Sequence, residues 1–377
     1  MIDKLKIKNF TVFDEADISF AKGINVIIGS NSTGKSHLLK LAYTAVRWSQ
    51  EMALREHQLR QGLVGNGSSQ ARPDKSTLQK ALGEKLNNVF RSEGIGRLVS
   101  KGKTGRAEVA VTLSSKKKSA SDFTFSFSPK SSTDASLDTP PDTFFDGEAV
   151  FFPTKEMLTM VPGFRALYEN YALQIDETYY DLCKALEKPL ARGPKLAEIR
   201  PMLTTVEEIL GGSIQQDHGR FYLTQGKERL EIPLVAEGYR KLGAVAYLLA
   251  NGTLAKQSIL FWDEPETNLN PAYMVKLAEL LVAISKNNTQ VFIATHSLFM
   301  MRELSMLLGK RENRALTRSF MAFSRVDGRV SISNGTSAED VEPIAALDAE
   351  LEQSERYLEA DAVSRQTDRN PREAPQY

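Results

Sequence analysis

One cysteine, Cys183, occurs in 377 residues, so the chain can build neither an internal disulfide framework nor a cysteine-based metal cluster. It sits in Tyr179-Tyr180-Asp181-Leu182-Cys183, where an inert packing role is expected. No apolar run approaches the roughly 20 residues needed to cross a bilayer, and Met1-Ile2-Asp3-Lys4 lacks the apolar core of a signal peptide. A cytoplasmic protein without membrane contact is expected. Charge of one sign is also missing: 48 Lys and Arg face 47 Asp and Glu, a formal net charge of +1. That balance excludes a global attraction to nucleic acid and leaves only local patches to supply one. No long heptad region is present, which excludes a coiled-coil arm. The remaining composition, 41% hydrophobic, suits one large domain with an insertion, or two domains.

The strongest positive feature is Gly29-Ser30-Asn31-Ser32-Thr33-Gly34-Lys35-Ser36, which fits G-x-x-x-x-G-K-[ST] at every fixed position. Gly23 to Ile28 reads as a turn and a buried strand before it, and His37-Leu38-Leu39-Lys40-Leu41-Ala42 opens a helix after it. Gly29 and Gly34 allow torsions that a Cβ would obstruct, so successive N–H groups can converge on phosphate oxygens at a helix N-terminus. Lys35 then reaches the β- and γ-phosphates, and the Ser36 hydroxyl is placed to ligate Mg²⁺. A nucleoside triphosphate site follows, with His37 at its edge.

Far along the chain, Ser258-Ile259-Leu260-Phe261-Trp262 is an apolar strand ending in Asp263-Glu264-Pro265-Glu266. Strand ends at the carboxyl edge of a parallel sheet are where ligands bind in open α/β folds. Asp263 is the expected Mg²⁺ partner. Glu264, facing differently because strand side chains alternate, suits a general base for an attacking water. A third strand, Thr289 to Ala294, runs into Thr295-His296-Ser297 and brings His296 beside the expected γ-phosphate, where an imidazole can bond the phosphate or hold the water.

The rest of the chain reads as follows. Residues 1–48 form the amino-terminal part of the nucleotide-binding unit. Residues 49–147 form an insertion: a helix from His37 to about Arg60, a glycine-serine break at Gln61–Ser69, a helix capped by Ser76 and a hairpin of Ala107–Leu113 with Phe123–Phe127. That hairpin carries the basic tip Lys116-Lys117-Lys118, and Pro129–Pro141 is expected to be a mobile linker. Residues 148–213 hold the strand Ala149–Phe152 and a helical, aromatic stretch. Residues 214–335 return to strands and the carboxy-terminal half of the site. Residues 336–377 hold a polar helix from Ile344 to about Leu358 and a charged, disordered tail.

These motifs in this order resemble the ATP-binding-cassette-like ATPase heads of the RecF, SMC and Rad50 group, and more narrowly the bacterial OLD-type AAA-15/AAA-21 ATPases. The hairpin Leu5-Lys6-Ile7-Lys8-Asn9-Phe10 with Ile18-Ser19-Phe20 resembles that group's amino-terminal hairpin. The resemblance covers residues 1–48 and about 230–305, and implies an α/β P-loop fold with a mixed sheet and an inserted helical and β lobe. It makes Gly29–Ser36 the Walker A motif, Ile259–Glu264 the Walker B motif, Asn268-Leu269-Asn270-Pro271 the D-loop and His296 the switch histidine. In such heads a signature loop closes the site of a second subunit. Val235 to Lys241 corresponds to it, with Gly238 and Arg240 as the contacting residues, although Ala236 stands where these ATPases usually carry serine. The Q-loop has no glutamine here. Its nearest counterpart is Phe151-Phe152-Pro153-Thr154-Lys155-Glu156, where either Lys155 and Glu156 serve the site or Thr154 caps a plain helix start with Glu156 in its first turn. No Toprim nuclease pattern follows.

The resemblance thus implies an ATPase that uses Mg²⁺, pairs as a homodimer through its ATP sites and acts on a separate effector, in antiphage or toxin–antitoxin-like systems. Two other functions stay open: a scaffold gated by ATP without hydrolysis, and a DNA repair or recombination head that binds nucleic acid through Arg97, Lys101, Lys103, Arg106 and the Lys116–Lys118 tip.

Overall fold

The amino-terminal strands β1 (Ile2–Phe10) and β2 (Phe13–Ser19) pair antiparallel. Leu5 and Ile7 of β1 point inward while Lys6 and Lys8 face solvent, the period of two that a half-buried sheet demands. In contrast, β3 (Ile24–Gly29) is buried at every position, the pattern of a parallel strand covered on both faces. The computed structural model describes residues 1–63, 72–115, 118–255 and 257–369.

From the loop after β3 rises α1 (Lys35–Arg60), followed by α2 (Lys75–Phe90). Asp74, not the expected Ser76, caps α2: its carboxylate accepts from the Thr77 N–H, and Ser76 lies inside the first turn. Next come β4 (Ala107–Ser115), β5 (Lys118–Phe127), β6 (Ser136–Thr139) and β7 (Ala149–Phe152). A helical layer follows, α3 (Val161–Asn170), α4 (Glu177–Leu186) and α5 (Pro194–Leu210), then the small strands β8 (Ser213–Asp217), β9 (Arg220–Gln225) and β10 (Glu228–Glu231). The chain closes through α6 (Glu237–Ala250), β11 (Ile259–Asp263), α7 (Pro271–Lys286), β12 (Gln290–Thr295), α8 (Leu298–Gly309), β13 (Arg318–Val326), β14 (Arg329–Gly335) and α9 (Ala345–Arg369).

The order of the six-stranded sheet is β14-β13-β3-β12-β11-β7. It is parallel except for β14, so the sheet is mixed. Its carboxyl edge therefore gathers the ends of β3, β11 and β12, elements separated by more than two hundred residues in sequence. One face, through Val26 and Ile28, packs on α4 to α8; the other, through Ile27, Phe261 and Phe292, packs on α1. Beyond α1 lies a second, antiparallel sheet of order β2-β1-β4-β5-β6, and β8 to β10 form a third.

The second sheet changes two expectations. The inserted hairpin is continuous with the amino-terminal one, because β4 pairs directly with β1. The segment 129–141 is not a free linker: it contributes β6 to the sheet edge, buries Ala135 and Leu137, and brings the Thr133 carbonyl so close to Gly83 of α2 that a Cβ there would collide with it. Alternating apolar residues inside a polar stretch make this possible. At the end of the chain α9 runs to Arg369, past the point at Leu358 where disorder was expected. The glycine-serine stretch from 64 to 69, the hairpin tip Lys116-Lys117 and residues 370–377 lie outside the described residues.

Candidate nucleotide site

Gly29 ends β3, and a Cβ on it would run into the Phe323 carbonyl oxygen of β13. The loop then turns through Ser32 at φ 64° and Gly34 at φ 98°. At Gly34 a Cβ would also come within 2.5 Å of the Val12 methyl and 2.9 Å of the Phe13 ring, so the turn between β1 and β2 presses on the loop from the side. Thr33 Oγ1 donates to the Ser30 carbonyl at 2.8 Å and pins the loop internally. The first turn of α1 carries no acidic residue, leaving its free N–H groups and the helix dipole to an anion.

Lys35 is buried and turned back on its own loop, its Nζ donating to the Gly29 carbonyl at 2.7 Å and the Ser30 carbonyl at 2.9 Å. Burial lowers its pKa, against the pull of Glu264, Asp263 and Glu266. Asp263 shows the mirror image: burial raises its pKa, the Ser36 hydroxyl opposes by hydrogen bonding to it, and Glu264 adds repulsion. Its Oδ1 is buried with no hydrogen-bond partner among the described residues. An ionised acid in that position is incompletely solvated, which is the donor set a hard divalent cation takes up. Ser36 and Asp263 therefore fit Mg²⁺.

Glu264 diverges from Asp263 for a different reason than strand alternation. The strand stops at Asp263, and Glu264 adopts φ 50°, a left-handed backbone that costs energy for a residue with a Cβ and is held by its N–H to the Ala294 carbonyl at 2.8 Å. This turns its carboxylate toward the end of β12. There His296 Nδ1 lies 3.3 Å from Glu264 Oε1 and 3.6 Å from Glu266 Oε1. His37, next to Ser36, packs its ring against Phe90 with centroids 5.9 Å apart, and burial lowers its pKa.

Asn31, Ser32, Gly34, Lys35, Ser36 and Glu264 share a cavity of about 260 Å³ with Val12, His37 and Arg325. Arg325, near the end of β13, is exposed and has no ion-pair partner among the described residues. No motif marks it; its position follows from the pairing of Phe323 with Gly29, which only the folded sheet shows. A larger recess of about 360 Å³, lined by Lys22, Gly23 and Thr317, lies at the opposite, amino-terminal end of the strands and contains none of the motif residues. The carboxyl edge is the chemically equipped one.

The expected signature loop sits beside the site but is tied down within the chain. A Cβ on Gly238 would meet Leu269 at 2.5 Å and the Asn268 carbonyl at 3.1 Å, so this glycine is needed to pack against the segment 268–271. Arg240, expected to meet a second nucleotide site, pairs with Glu156 at 3.2 Å. Lys241 is buried and donates to the Thr267 carbonyl at 3.0 Å. Thr154 caps no helix: α3 begins only at Val161, and Glu156 instead accepts from Thr159. Glu266 was part of the acidic segment in sequence, yet its burial and its grip on the end of β12 become visible only here.

A family model described as "AAA ATPase domain" matches residues 1–46, and one described as "AAA domain, putative AbiEii toxin, Type IV TA system" matches residues 153–302. The "DNA double-strand break repair Rad50 ATPase" of Pyrococcus abyssi is 43% identical over 54 residues, 14% of this chain and 6% of that protein. The "DNA replication and repair protein RecF" of Halalkalibacterium halodurans is 43% identical over 42 residues, 11% of each. The chain thus aligns with only a small fraction of the length of these relatives.

Among solved structures, an Smc head bound to the C-winged helix domain of ScpA superimposes with a TM-score of 0.53 at 16% identity, covering 90% of this chain and 98% of that one. An Smc head domain with an extended coiled coil, bound to the C-terminal domain of ScpA derived from Pyrococcus furiosus, gives 0.50 at 15% identity over 96% and 99%. The fold is that of a P-loop ATPase head of the ABC-like, SMC–Rad50 type. The two stretches matched by family models, residues 1–46 and 153–302, are both similar to ATPase-type domains.

Proposed function

We propose that this chain binds ATP with Mg²⁺ and hydrolyses it, and that the nucleotide drives the pairing of two copies as a switch for a separate protein partner. The observation that carries this reading is the convergence of Lys35, Ser36, Asp263, Glu264 and His296 on one sheet edge, with a buried acid oxygen on Asp263 that nothing among the described residues satisfies. Lys35 exchanges the Gly29 and Ser30 carbonyls for the β- and γ-phosphates. Ser36 and Asp263 hold Mg²⁺, which supplies neutralisation of charge on the phosphates. Glu264 accepts a proton as the water oxygen bonds to the γ-phosphorus and the bond to the β–γ bridging oxygen breaks, releasing ADP and phosphate. His296 orients the water or the γ-phosphate from the other side of Glu264.

The toxin–antitoxin wording of the family model, together with ScpA domains bound to the two similar Smc heads, supports a partner protein and a role in a bacterial defence or toxin–antitoxin-like system. The repair roles named for the Rad50 and RecF relatives favour a second reading, a repair head acting on DNA, which salt-dependent DNA binding would reveal. Pairing is tested by sedimentation of Glu264→Gln, which should retain ATP. ATP should raise its dimer fraction; identical sedimentation with and without ATP would remove nucleotide-driven pairing from the account.

A further inference from the structure

Buried carboxylates are costly unless their acceptor capacity is used. Glu266 is 4% exposed, yet it stands two residues beyond the expected base and is assigned no part in the chemistry above. Its Oε1 accepts from Thr295 Oγ1 at 2.6 Å and from the His296 backbone N–H at 3.3 Å, and lies 3.6 Å from His296 Nδ1. One oxygen thus gathers three groups of the strand end that carries the histidine. The turn that presents it is rigid: Thr267 N–H donates to the Glu264 carbonyl at 3.2 Å, and Leu269 N–H to the Glu266 carbonyl at 3.0 Å.

We propose that Glu266 is a positioning residue for His296, fixing which imidazole nitrogen faces the nucleotide. The inference rests on the hydrolytic reading and deepens it. Carboxylates only accept, so two of them beside Nδ1, from Glu264 and Glu266, favour the proton on that nitrogen. Nε2 is then the nitrogen directed away from both acids, on a ring that is 51% exposed. Glu264 alone cannot enforce this. Its side chain is 29% exposed, against 4% for Glu266, so solvent competes for its oxygens. A buried glutamine at 266 would still accept from Thr295, but its amide could donate to Nδ1 and release the opposite tautomer.

The experiment compares wild type, Glu266→Gln and Glu266→Asp. The chain has four histidines, so ring-nitrogen NMR with His296→Asn as the assignment control can report the tautomer of His296 without any turnover. In wild type the proton should sit on Nδ1, and in Glu266→Gln the ring should shift toward the Nε2-protonated form. Turnover by Glu266→Gln should fall about 10–100-fold with KM and melting temperature unchanged, the scale typical for residues that orient a reactive ligand from behind. Glu266→Asp, which keeps the charge, should recover part of the loss. An unchanged His296 tautomer in Glu266→Gln, or wild-type turnover by that variant, would overturn the inference. Absence of hydrolysis by wild type would instead sink the hydrolytic reading and leave the tautomer measurement to decide this one.

Discussion

Two groups of buried charge lie along α1, and they are built on opposite plans. Midway along the helix, Lys85 of α2 reaches Glu51 at 2.7 Å, Glu177 at 2.9 Å and Asp181 at 3.5 Å, while Asp181 also meets Arg47 at 3.3 Å, Lys184 at 2.9 Å and the Tyr43 hydroxyl at 2.8 Å. Three acids face three bases. Burial opposes each charge, but at Lys85 the acids outweigh it and raise the pKa, and at Asp181 the bases outweigh it and hold the carboxyl far below the usual range. Among the three acids, Glu177 keeps a pKa raised by burial. At the amino-terminal end of the same helix burial wins: Lys35 and Lys241 are lowered and Asp263 is raised.

The difference separates a structural cluster from a binding one. The Lys85 group, Glu177 excepted, balances its charges with its own ion pairs and ties α1, α2 and α4 together. The group at Gly29–Ser36 keeps charges that its own neighbours do not stabilise, which is the arrangement expected where a charged ligand completes the set.

Substitutions can break this contrast. Lys85→Ala should destabilise the chain by about 3–5 kcal/mol, because three acids would remain in a buried site without their shared cation; chemical denaturation measures it, and a loss below about 1 kcal/mol would show that the cluster is not a structural one. Lys35→Ala should leave stability near wild type but weaken ATP binding on the order of 10–100-fold, the worth of one hydrogen-bonded charge of about 1.5–3 kcal/mol. Calorimetric titration reads it. The smallest effect on folding belongs to Asp263→Asn, which removes an acid that burial already disfavours. Its stability without nucleotide should be equal to or slightly above wild type, as is common where a site is tuned for function. A loss comparable to that of Lys85→Ala would erase the distinction between the two groups.

Much of the fold was legible because its signals are local. Gly29–Ser36 carries its own loop chemistry, and the mainly apolar runs before Gly29, Asp263 and His296 read as buried parallel strands whose ends must share an edge. What stayed hidden depends on contacts between distant segments. Nothing around Arg240 announces Glu156, and nothing around Lys85 announces Asp181. The segment 129–141 looked like a linker because its composition is polar, whereas Ala135 and Leu137 are enough to seat it on a sheet edge that only β4 and β5 create. Glu264 is a subtler case: its separation from Asp263 was readable, but the left-handed backbone that produces it was not.

The account stands or falls on Glu264. Release of phosphate from ATP in the presence of Mg²⁺ should be measured for wild type and Glu264→Gln, with ATP binding measured alongside. Wild type should turn over, and Glu264→Gln should bind ATP equally well while losing about 10²–10⁴-fold in rate, as expected for removal of a positioned base. Hydrolysis by Glu264→Gln at the wild-type rate would contradict the assignment of this edge as the place where water attacks.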